Sequence, residues 1–291
     1  MGERLSGYLD HPYVQRRATP DMEHALEEQL RKIFLLIRNE TGNDFSHYKR
    51  STIRRRIARR LAVHQIETLR DYIKLLHDDK DEVHNLAREM LITVTNFFRD
   101  REAFDALQKT VIEPLVEEKN PDEPIRIWVS GCATGEEAYS IAILVQEAME
   151  RAGKHHHVQV FATDLDDDAI GTARRGLYPK SIAADIAPNR LRRFFSEENR
   201  HYKVKGSIRD MLVFARHNIT KDAPFSYVDL VSCRNLLIYL DGTLQQKLIP
   251  LFHKAGSRHG GLYSIVGESV RGVKAVKAAS DERGRSARFD R

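Results

Sequence analysis

Apolar residues in the first third of the chain recur at intervals of three and four positions. Ile53, Ile57 and Leu61, for example, form one stripe that repeats every four residues. Four stretches carry such a pattern: Leu26–Ile37, Ser51–Val63, Leu69–Leu76 and Val83–Ile92. No strand pattern precedes about residue 120. The pattern predicts an all-helical N-terminal domain at residues 21–92, preceded by a linker or tail at residues 1–20.

The second part of the chain alternates short apolar runs with amphipathic helical stretches. The predicted strands are Ile125–Ser130, Val158–Thr163, Met211–Ala215, Val228–Ser232 and Leu262–Val266. The predicted helices between them include Glu136–Arg151, Asp167–Arg175 and Thr243–Lys254. This alternation predicts an α/β fold with a mostly parallel, doubly wound sheet. For residues 271–291 a last hairpin and a frayed tail both remain open.

The stretch Ile125–Tyr139 (IRIWVSGCATGEEAY) is the most informative part of the sequence. An apolar strand ends at Gly131, a loop of small residues follows, and Glu136 and Glu137 open a helix. Such a unit can present main-chain N–H groups to a ligand, and glycines let the ligand approach closely. The loop has no lysine for phosphates, and acids follow it, so we expect a neutral or positive ligand end such as an ammonium group. An ordinary α/β turn is the alternative interpretation.

Polar residues follow the other predicted strands. Asp164 ends the second strand, Asn218 follows the third, and Arg234-Asn235 follows the fourth. Ligands of parallel sheets bind beyond the carboxyl ends of the strands, so these residues should share one edge with Gly131. A carboxylate at the end of the second strand can accept hydrogen bonds from both hydroxyls of an adenosine ribose. The alternatives are a helix N-cap for Asp164, turn formation for the asparagines, and helix-dipole stabilisation for Glu136 and Glu137.

The predicted helix Ser51–Val63 carries a dense run of arginines. At 100° per residue, four of them fall opposite the apolar stripe: Arg55, Arg56, Arg59 and Arg60. Three interpretations remain open, namely a merely solvated face, contact with nucleic acid, and docking onto an acidic helical protein surface.

Composition narrows these choices. The chain has 291 residues, of which 41% are hydrophobic and 31% charged, and a formal net charge of +5. It has no apolar run of about 18 residues and no N-terminal apolar segment of a signal peptide, so membrane insertion and secretion are not expected. The two cysteines lie far apart, which indicates a reducing, cytoplasmic location. The His155-His156-His157 run is interpreted as a solvated loop, and no metal site is expected.

Four motifs together resemble the CheR-type chemoreceptor glutamate O-methyltransferases, which use S-adenosylmethionine. They are Thr95-Asn96-Phe97-Phe98-Arg99-Asp100, the run Gly131–Ser140, Phe161-Ala162-Thr163-Asp164, and Cys233–Tyr239, and the arginine run TIRRRIARR adds to them. The resemblance implies a helical receptor-docking domain at 21–92, a linker at 93–104 that contributes to the active site, and a Rossmann-like methyltransferase domain at 105–291. It further implies a small antiparallel β insertion, which we place within 176–210.

The resemblance also implies roles for single residues. Cofactor contacts are expected at Thr93, Thr95, Arg99, Glu137, Asp164, Asn218, Ile219, Arg234 and Asn235, to which the loop adds Gly131 and Glu136. The first of these positions is usually asparagine in the family. Arg99 and Tyr239 are expected near the transferred methyl group, although Tyr239 could be a core tyrosine. The docking role falls on Arg55, Arg56, Arg59 and Arg60, with the cytoplasmic helical bundle of a chemoreceptor as partner.

The expected activity is methyl transfer from S-adenosylmethionine to receptor glutamates by a monomer that does not bind nucleic acid. Two alternatives are kept: a non-catalytic cofactor-binding signalling module, and a methyltransferase of the same fold with another substrate. The stretch SIAADIAPNRLRRFF resembles members fused to methylesterase or sensor domains, so this chain could be a piece of a larger protein. Cys132 and Cys233 should lie on paired strands, where packing is the favoured interpretation. A redox-sensitive pair is the alternative, because Cys132 precedes a helix N-terminus, which lowers the pKa of a thiol.

Overall fold

A computed structural model describes residues 20–91, 94–234, 236–255, 262–267 and 276–278. The predictions for residues 1–19 and for the last residues of the chain lie outside the described parts. The chain divides into two compact units. One contains the described residues up to 91 together with Tyr239–Leu244, and the other contains the remaining described residues from 94 onward. No described helix is long and apolar enough to cross a bilayer.

In the described residues 20–91, the first unit contains four helices around one apolar core. They are α1 (Pro20–Thr41), α2 (Arg50–His64), α3 (Leu69–Asp78) and α4 (Lys80–Met90). The predicted stripe of Ile53, Ile57 and Leu61 is fully buried, as helical periodicity requires. The side chains of Thr68 and Asp79 cap the N-termini of α3 and α4. The all-helical character of this part of the chain is confirmed.

The arginines of α2 do not form one exposed face, and in this respect the prediction is wrong for Arg56 and Arg60. The Arg60 side chain is 16% exposed, and its guanidinium contacts the carboxylate of Glu82, which is 1% exposed. Arg56 is 20% exposed and lies 3.4 Å from a carboxylate oxygen of Glu89. Helical phase gives the angle of a side chain around its own axis, but it cannot show that the acids of α4 lie beside that flank. Arg55 and Arg59 remain exposed.

The second unit contains a six-stranded sheet in the order β6-β2-β1-β7-β8-β9. Its strands are β1 (Ile125–Ser130), β2 (Val158–Asp164), β6 (Leu212–Arg216), β7 (Leu230–Arg234), β8 (Leu262–Gly267) and β9 (Val276–Ala278). All pairings are parallel except β8 with β9, which is antiparallel. Because β1 lies between β2 and β7, its apolar residues Ile127, Trp128 and Val129 are fully buried.

Helices connect and cover these strands. They are α5 (Arg101–Leu107), which continues through a π-helical turn at Gln108–Ile112, α6 (Glu113–Glu118), α7 (Glu136–Ala152), α8 (Asp167–Arg175), α9 (Pro188–Phe194), α10 (Gly206–Arg209) and α11 (Gly242–Lys254). Short 3-10 turns lie at Lys180–Ala184 and Leu237–Tyr239. The Rossmann-like arrangement with its mostly parallel sheet is confirmed.

The predicted antiparallel insertion is also confirmed. It is a three-stranded sheet of order β3-β5-β4, formed by β3 (Leu177–Pro179), β4 (Phe195–Glu198) and β5 (His201–Val204). Helix α9 lies between β3 and β4 in the chain. The rings of Tyr178 on β3 and Phe195 on β4 both pack edge-on against Phe97, with ring centroids 4.9 and 5.4 Å away. The insertion therefore packs against the turn that precedes Arg99.

Candidate functional site

The carboxyl ends of β2, β1 and β7 lie side by side, as the sequence predicted. Ser130, the last residue of β1, is in register with Thr163, and Val129 is in register with Ser232 of β7. The residues that follow these strands therefore meet at one edge of the sheet. This edge brings together the glycine loop (Gly131–Gly135), Asp164, Arg234 and the N-terminus of α7.

The glycine loop is held by hydrogen bonds within the protein. The N–H groups of Gly131 and Cys132 both donate to the carbonyl oxygen of Thr163, at 2.8 and 3.0 Å. Ala133 N–H donates to Oδ2 of Asp164 at 2.8 Å, and Gly135 N–H to the carbonyl of Cys132 at 2.9 Å. Since these donors are used, the loop differs from a phosphate cradle, which agrees with its lack of lysine.

The two glycines of the loop serve packing, whereas we expected them to leave room for a ligand. Both have positive φ, 74° at Gly131 and 97° at Gly135. A Cβ at Gly131 would lie 3.2 Å from Cδ2 of Leu236, and one at Gly135 would lie 2.8 Å from Cβ of Ala173. The missing Cβ atoms thus admit neighbouring protein atoms, and they allow a backbone conformation that other residues rarely adopt.

The carboxylate of Asp164 joins the glycine loop to the end of β2 by hydrogen bonds. Its Oδ2 accepts the Ala133 N–H, and its Oδ1 accepts the N–H of Asp166 at 3.0 Å. Burial raises the pKa of the Asp164 carboxyl, and these backbone hydrogen bonds act in the opposite direction. The alternative interpretation of Asp164 as the N-cap of the next helix is wrong, because the cap of α8 is Asp166.

The two acids at the start of α7 face different surroundings. Glu137 accepts a hydrogen bond from the hydroxyl of Ser232 on β7 at 2.6 Å. Burial raises the pKa of Glu137, while the charges of Arg234 and Arg99 and the Ser232 hydroxyl lower it. Glu136 instead accepts from the Thr134 hydroxyl at 2.6 Å, and its pKa is raised by burial and by Asp185 of the insertion. The structure thus brings Glu137, but not Glu136, toward the arginines of the edge.

Arg234 and Arg99 are the cations near Glu137. The Arg234 side chain is 7% exposed, and its Nη2 donates to the carbonyl of Arg99 and to Oδ2 of Asp100, both at 3.1 Å. Its guanidinium also lies 4.8 Å from the ring centroid of Phe104. Arg99 is half-buried and donates from Nη1 to the carbonyl of Val94 at 3.1 Å. Arg234 is therefore fixed, and Arg99 keeps part of its charged surface in solvent.

Asn218 follows β6, and its side chain stabilises a turn. Its Oδ1 accepts from the N–H and hydroxyl of Thr220, at 3.0 and 2.7 Å, which agrees with the turn-forming alternative. The preceding His217 N–H donates to the carbonyl of Asp164 at 2.9 Å, so this turn lies beside the end of β2. Ile219 in the same turn and Thr95 before Phe97 are half-buried.

Three predicted site residues are not placed at this edge. Thr93 and Asn235 lie outside the described residues. Tyr239 ends the 3-10 turn and groups with the first unit, where its carbonyl accepts the N–H of Lys49 at 2.8 Å. Their roles therefore stay predictions.

Sequence reasoning missed residues that shape this edge. The Tyr178 hydroxyl donates to the carbonyl of Thr134 in the glycine loop at 2.7 Å. Ser232 holds Glu137, and Ser140 accepts the N–H of Phe98 at 3.0 Å. No local sequence signal marks these contacts, because each joins segments that are distant in the chain. Among the residues that the structure describes, no group of three or more His, Cys, Asp or Glu side chains could hold a metal ion.

Of the two interpretations of the cysteines, packing agrees with the structure, and the alternative of a reactive Cys132 thiol does not. Cys132 and Cys233 are both buried free cysteines. Burial, together with the carboxylates of Asp164 and Glu137, raises the pKa of Cys132 well above its usual value, and this outweighs the helix N-terminus.

We expect slow alkylation of the native protein by iodoacetamide at pH 7–8. A thiol with a raised pKa is protonated below that pKa, so the rate should still be rising with pH above about 9, where an ordinary thiol levels off. The unfolded chain, in which both thiols are free, gives the reference rate. Native labelling as fast as in the unfolded chain would contradict the buried, protonated thiol, and protection by S-adenosylhomocysteine would place the cysteines at the cofactor site.

The groups at this edge suit S-adenosylmethionine. Each carboxylate oxygen of Asp164 accepts one backbone N–H and keeps a lone pair for a ribose hydroxyl. The half-buried carboxylate of Glu137 can balance an ammonium group. The half-exposed guanidinium of Arg99 can bind the carboxylate of a methionine moiety. These two carboxylates and the arginine thus fit the uncharged ribose and the zwitterionic amino-acid end of this cofactor.

Known proteins resemble this chain over both units. Residues 28–91 match the all-alpha domain of the CheR methyltransferases, and residues 93–283 match their SAM binding domain. A Rhodobacter capsulatus protein named "Uncharacterized 104.1 kDa protein in hypE 3'region" is 44% identical over 220 residues, which are 76% of this chain and 23% of that protein. The chain therefore spans less than a quarter of that relative.

Other relatives match over nearly their full length. The "Chemotaxis protein methyltransferase" of Borreliella burgdorferi is 27% identical over 260 residues, 86% of this chain and 91% of that protein. The protein of the same name from Listeria monocytogenes is 28% identical over 228 residues, 78% of this chain and 85% of that protein. With the site geometry and both domain matches in agreement, the chain belongs to the CheR methyltransferase family and carries its S-adenosylmethionine-binding domain at residues 93–283.

Proposed function

We propose that this protein transfers a methyl group from S-adenosylmethionine to glutamate side chains of a chemoreceptor, forming glutamate methyl esters. The proposal rests on the family and on relatives named for chemotaxis methyltransferase activity. Its main structural support is the edge formed by Asp164, Glu137 and Arg99, which offers acceptors for hydroxyl and ammonium groups and one half-exposed cation. The partner would be the cytoplasmic helical bundle of the receptor.

A carboxylate acceptor fits this chemistry because it needs no general base. A glutamate side chain has an unperturbed pKa of about 4.3 and is already ionised at neutral pH. When bound, S-adenosylmethionine supplies an electrophilic methyl group on a sulfonium. The protein then has to position the acceptor in line and exclude water. A protonated Cys132 contributes neither a base nor a nucleophile to this step.

Two residues carry the proposed contact with the reacting groups. Arg99 is a half-exposed cation at the edge and can orient a carboxylate, of the cofactor or of the acceptor. Tyr239 is proposed to line the path of the methyl group and to donate one hydrogen bond. Arg234 acts through Arg99, because its guanidinium holds the carbonyl of Arg99 and the carboxylate of Asp100.

Methyl transfer to purified receptor cytoplasmic fragments tests the proposed activity. The fragments are incubated with the protein and radiolabelled S-adenosylmethionine, and the labelled product is then treated with alkali. Glutamate methyl esters release volatile methanol, whereas N-methyl groups do not. We expect alkali-labile label that disappears when the acceptor glutamates are replaced by alanine. Alkali-stable label would indicate another acceptor, and cofactor binding without transfer to any fragment would favour a non-catalytic module.

Replacing Arg55 and Arg59 with alanine should raise the apparent KM for receptor fragments and leave cofactor affinity unchanged. Exposed ion pairs contribute up to about 1 kcal/mol each, so we expect an increase of about threefold to tenfold. The dependence of KM on salt should also flatten, because two charges of the encounter are removed. Steady-state kinetics at several salt concentrations, with calorimetry for S-adenosylhomocysteine, measures both effects.

Arg60 gives the matched control on the same helix. Its guanidinium pairs with the buried Glu82, so Arg60→Ala should lower the free energy of unfolding by about 1–3 kcal/mol and leave the salt dependence of KM in place. If the double variant instead loses activity equally toward a small artificial acceptor, the docking role of Arg55 and Arg59 is refuted.

A further inference from the structure

The turn Phe97–Asp100 has an unusual backbone. Phe98 has a φ of 50° and Asp100 a φ of 62°, so both lie in the left-handed region. For a bulky residue such as phenylalanine this conformation is strained, and it persists only where surrounding contacts determine it. Arg99 stands between these two residues. The contacts that hold Phe98 therefore also determine where Arg99 is presented.

Three contacts hold Phe98 in this conformation. Its N–H donates to the Ser140 hydroxyl at 3.0 Å, and that hydroxyl donates to the carbonyl of Glu136 at 2.7 Å. Its ring meets Phe104 edge-on, with centroids 5.5 Å apart. The guanidinium of Arg190 lies 4.5 Å from the ring centroid, in a cation–π contact. The first two contacts come from helices α7 and α5, whereas Arg190 belongs to α9 of the antiparallel insertion.

Arg190 is itself fixed by a buried acid. Its Nε donates to Oε1 of Glu147 at 2.9 Å, and its Nη2 donates to Oε2 at 2.8 Å. The Glu147 side chain is 8% exposed and that of Arg190 is 20% exposed. This bidentate geometry holds the plane of the guanidinium in one orientation. Glu147 lies on α7, the helix whose first turn carries Glu137.

The contact chain continues from Phe98 to the cofactor site. The carbonyl of Arg99 and the carboxylate of Asp100 both accept hydrogen bonds from Arg234 at 3.1 Å. Arg234 and Arg99 in turn lower the pKa of Glu137, against the effect of its burial. A shift of Phe98 would therefore displace both cations of the edge together.

We propose that Arg190, oriented by Glu147, is a positioning residue of the cofactor site and acts through Phe98. It touches neither cofactor nor acceptor in this scheme. The antiparallel insertion thereby supports the cofactor site indirectly, because Arg190, which contacts Phe98 in the turn Phe97–Asp100, lies on helix α9. The inference concerns cofactor binding and does not depend on the identity of the methyl acceptor.

The test compares two lysine variants by calorimetry with S-adenosylhomocysteine. Arg190→Lys keeps the positive charge but cannot form the bidentate pair or stack as a plane. Arg193→Lys is the matched control, because Arg193 lies on the same helix, pairs with Glu150 and stacks on Phe194 rather than Phe98. We expect Kd to rise about fivefold to twentyfold for Arg190→Lys and less than about twofold for Arg193→Lys. Equal Kd changes in the two variants would overturn the proposal.

A double-mutant cycle separates positioning from general stability. Phe98→Leu removes the ring through which Arg190 acts, so adding Arg190→Lys to it should raise Kd by less than about twofold further. Urea unfolding of all variants shows which part of the change follows stability. A fivefold or larger loss that persists in the Phe98→Leu background, or an unchanged Kd for Arg190→Lys, contradicts an action through Phe98.

Discussion

Replacing Asp164 with alanine is expected to raise the Kd for S-adenosylhomocysteine by about tenfold to 150-fold. Hydrogen bonds to a charged group contribute about 1.5–3 kcal/mol, and 1.4 kcal/mol is a factor of ten in affinity. The variant removes the acceptor for the ribose hydroxyls and also the hydrogen bond that the carboxylate accepts from Ala133 N–H. Asp164→Asn should behave similarly, because its amide nitrogen cannot accept the second of the two backbone N–H groups that the carboxylate binds.

Isothermal calorimetry on the folded variants measures this loss. Asp167→Asn is the control, because Asp167 is close in the chain, its side chain is 73% exposed, and it forms a surface ion pair with Arg216 at 3.3 Å. Its Kd should stay within about twofold of the parent protein. An unchanged Kd in a folded Asp164→Ala variant would eliminate the ribose assignment.

Gly135→Ala is expected to lower the free energy of unfolding by about 2–5 kcal/mol. Left-handed backbone costs a non-glycine residue about 1–2 kcal/mol, and overpacking a core costs about 1–3 kcal/mol more. The new Cβ would lie 2.8 Å from Cβ of Ala173, 3.1 Å from the Tyr178 hydroxyl oxygen and 3.2 Å from Cε1 of Phe214. Cofactor affinity should fall as well, since the loop that carries Ala133 must move.

Gly153→Ala separates the two contributions. Gly153 ends α7 with a φ of 64°, and a Cβ there would meet nothing within 4 Å. Urea denaturation of this variant should show only the backbone cost, about 1–2 kcal/mol. If Gly135→Ala is no more destabilising than Gly153→Ala, the close contact with α8 and the insertion is not a determinant of the loop.

The strand ends of the site could be predicted because they follow from local pattern and from a general property of parallel sheets. Apolar runs located β1, β2 and β7, and the parallel arrangement then placed Gly131, Asp164 and Arg234 on one edge. The local pattern could not distinguish the paired acids of α7, and only the family resemblance pointed to Glu137. Whether Glu136 or Glu137 meets Ser232 depends on the rotation of the helix over the sheet, to which neighbouring residues give no signal.

The sequence did not predict the surroundings of a side chain where they depend on contacts with a distant segment. The helical phase of α2 was predicted correctly, yet the Arg60 side chain is largely shielded from solvent because Glu82 of α4 lies beside it. The alternative of a reactive Cys132 rested on its position before a helix, but burial and the charges of Asp164 and Glu137 raise the pKa of its thiol. The pairing of Arg190 with Phe98 is a contact between an insertion and a turn, and no periodicity within either segment encodes it.

The position of β1 between β2 and β7 has a consequence for protein synthesis. The glycine loop and Asp164 emerge early from the ribosome, whereas Ser232 and Arg234 belong to a strand that is made much later. Until β7 pairs, one edge of β1 has unbonded N–H and C=O groups, and Glu137 lacks its hydroxyl partner. A chain arrested before Leu230 therefore exposes an apolar strand edge of the kind that chaperones protect, and its cofactor site is incomplete.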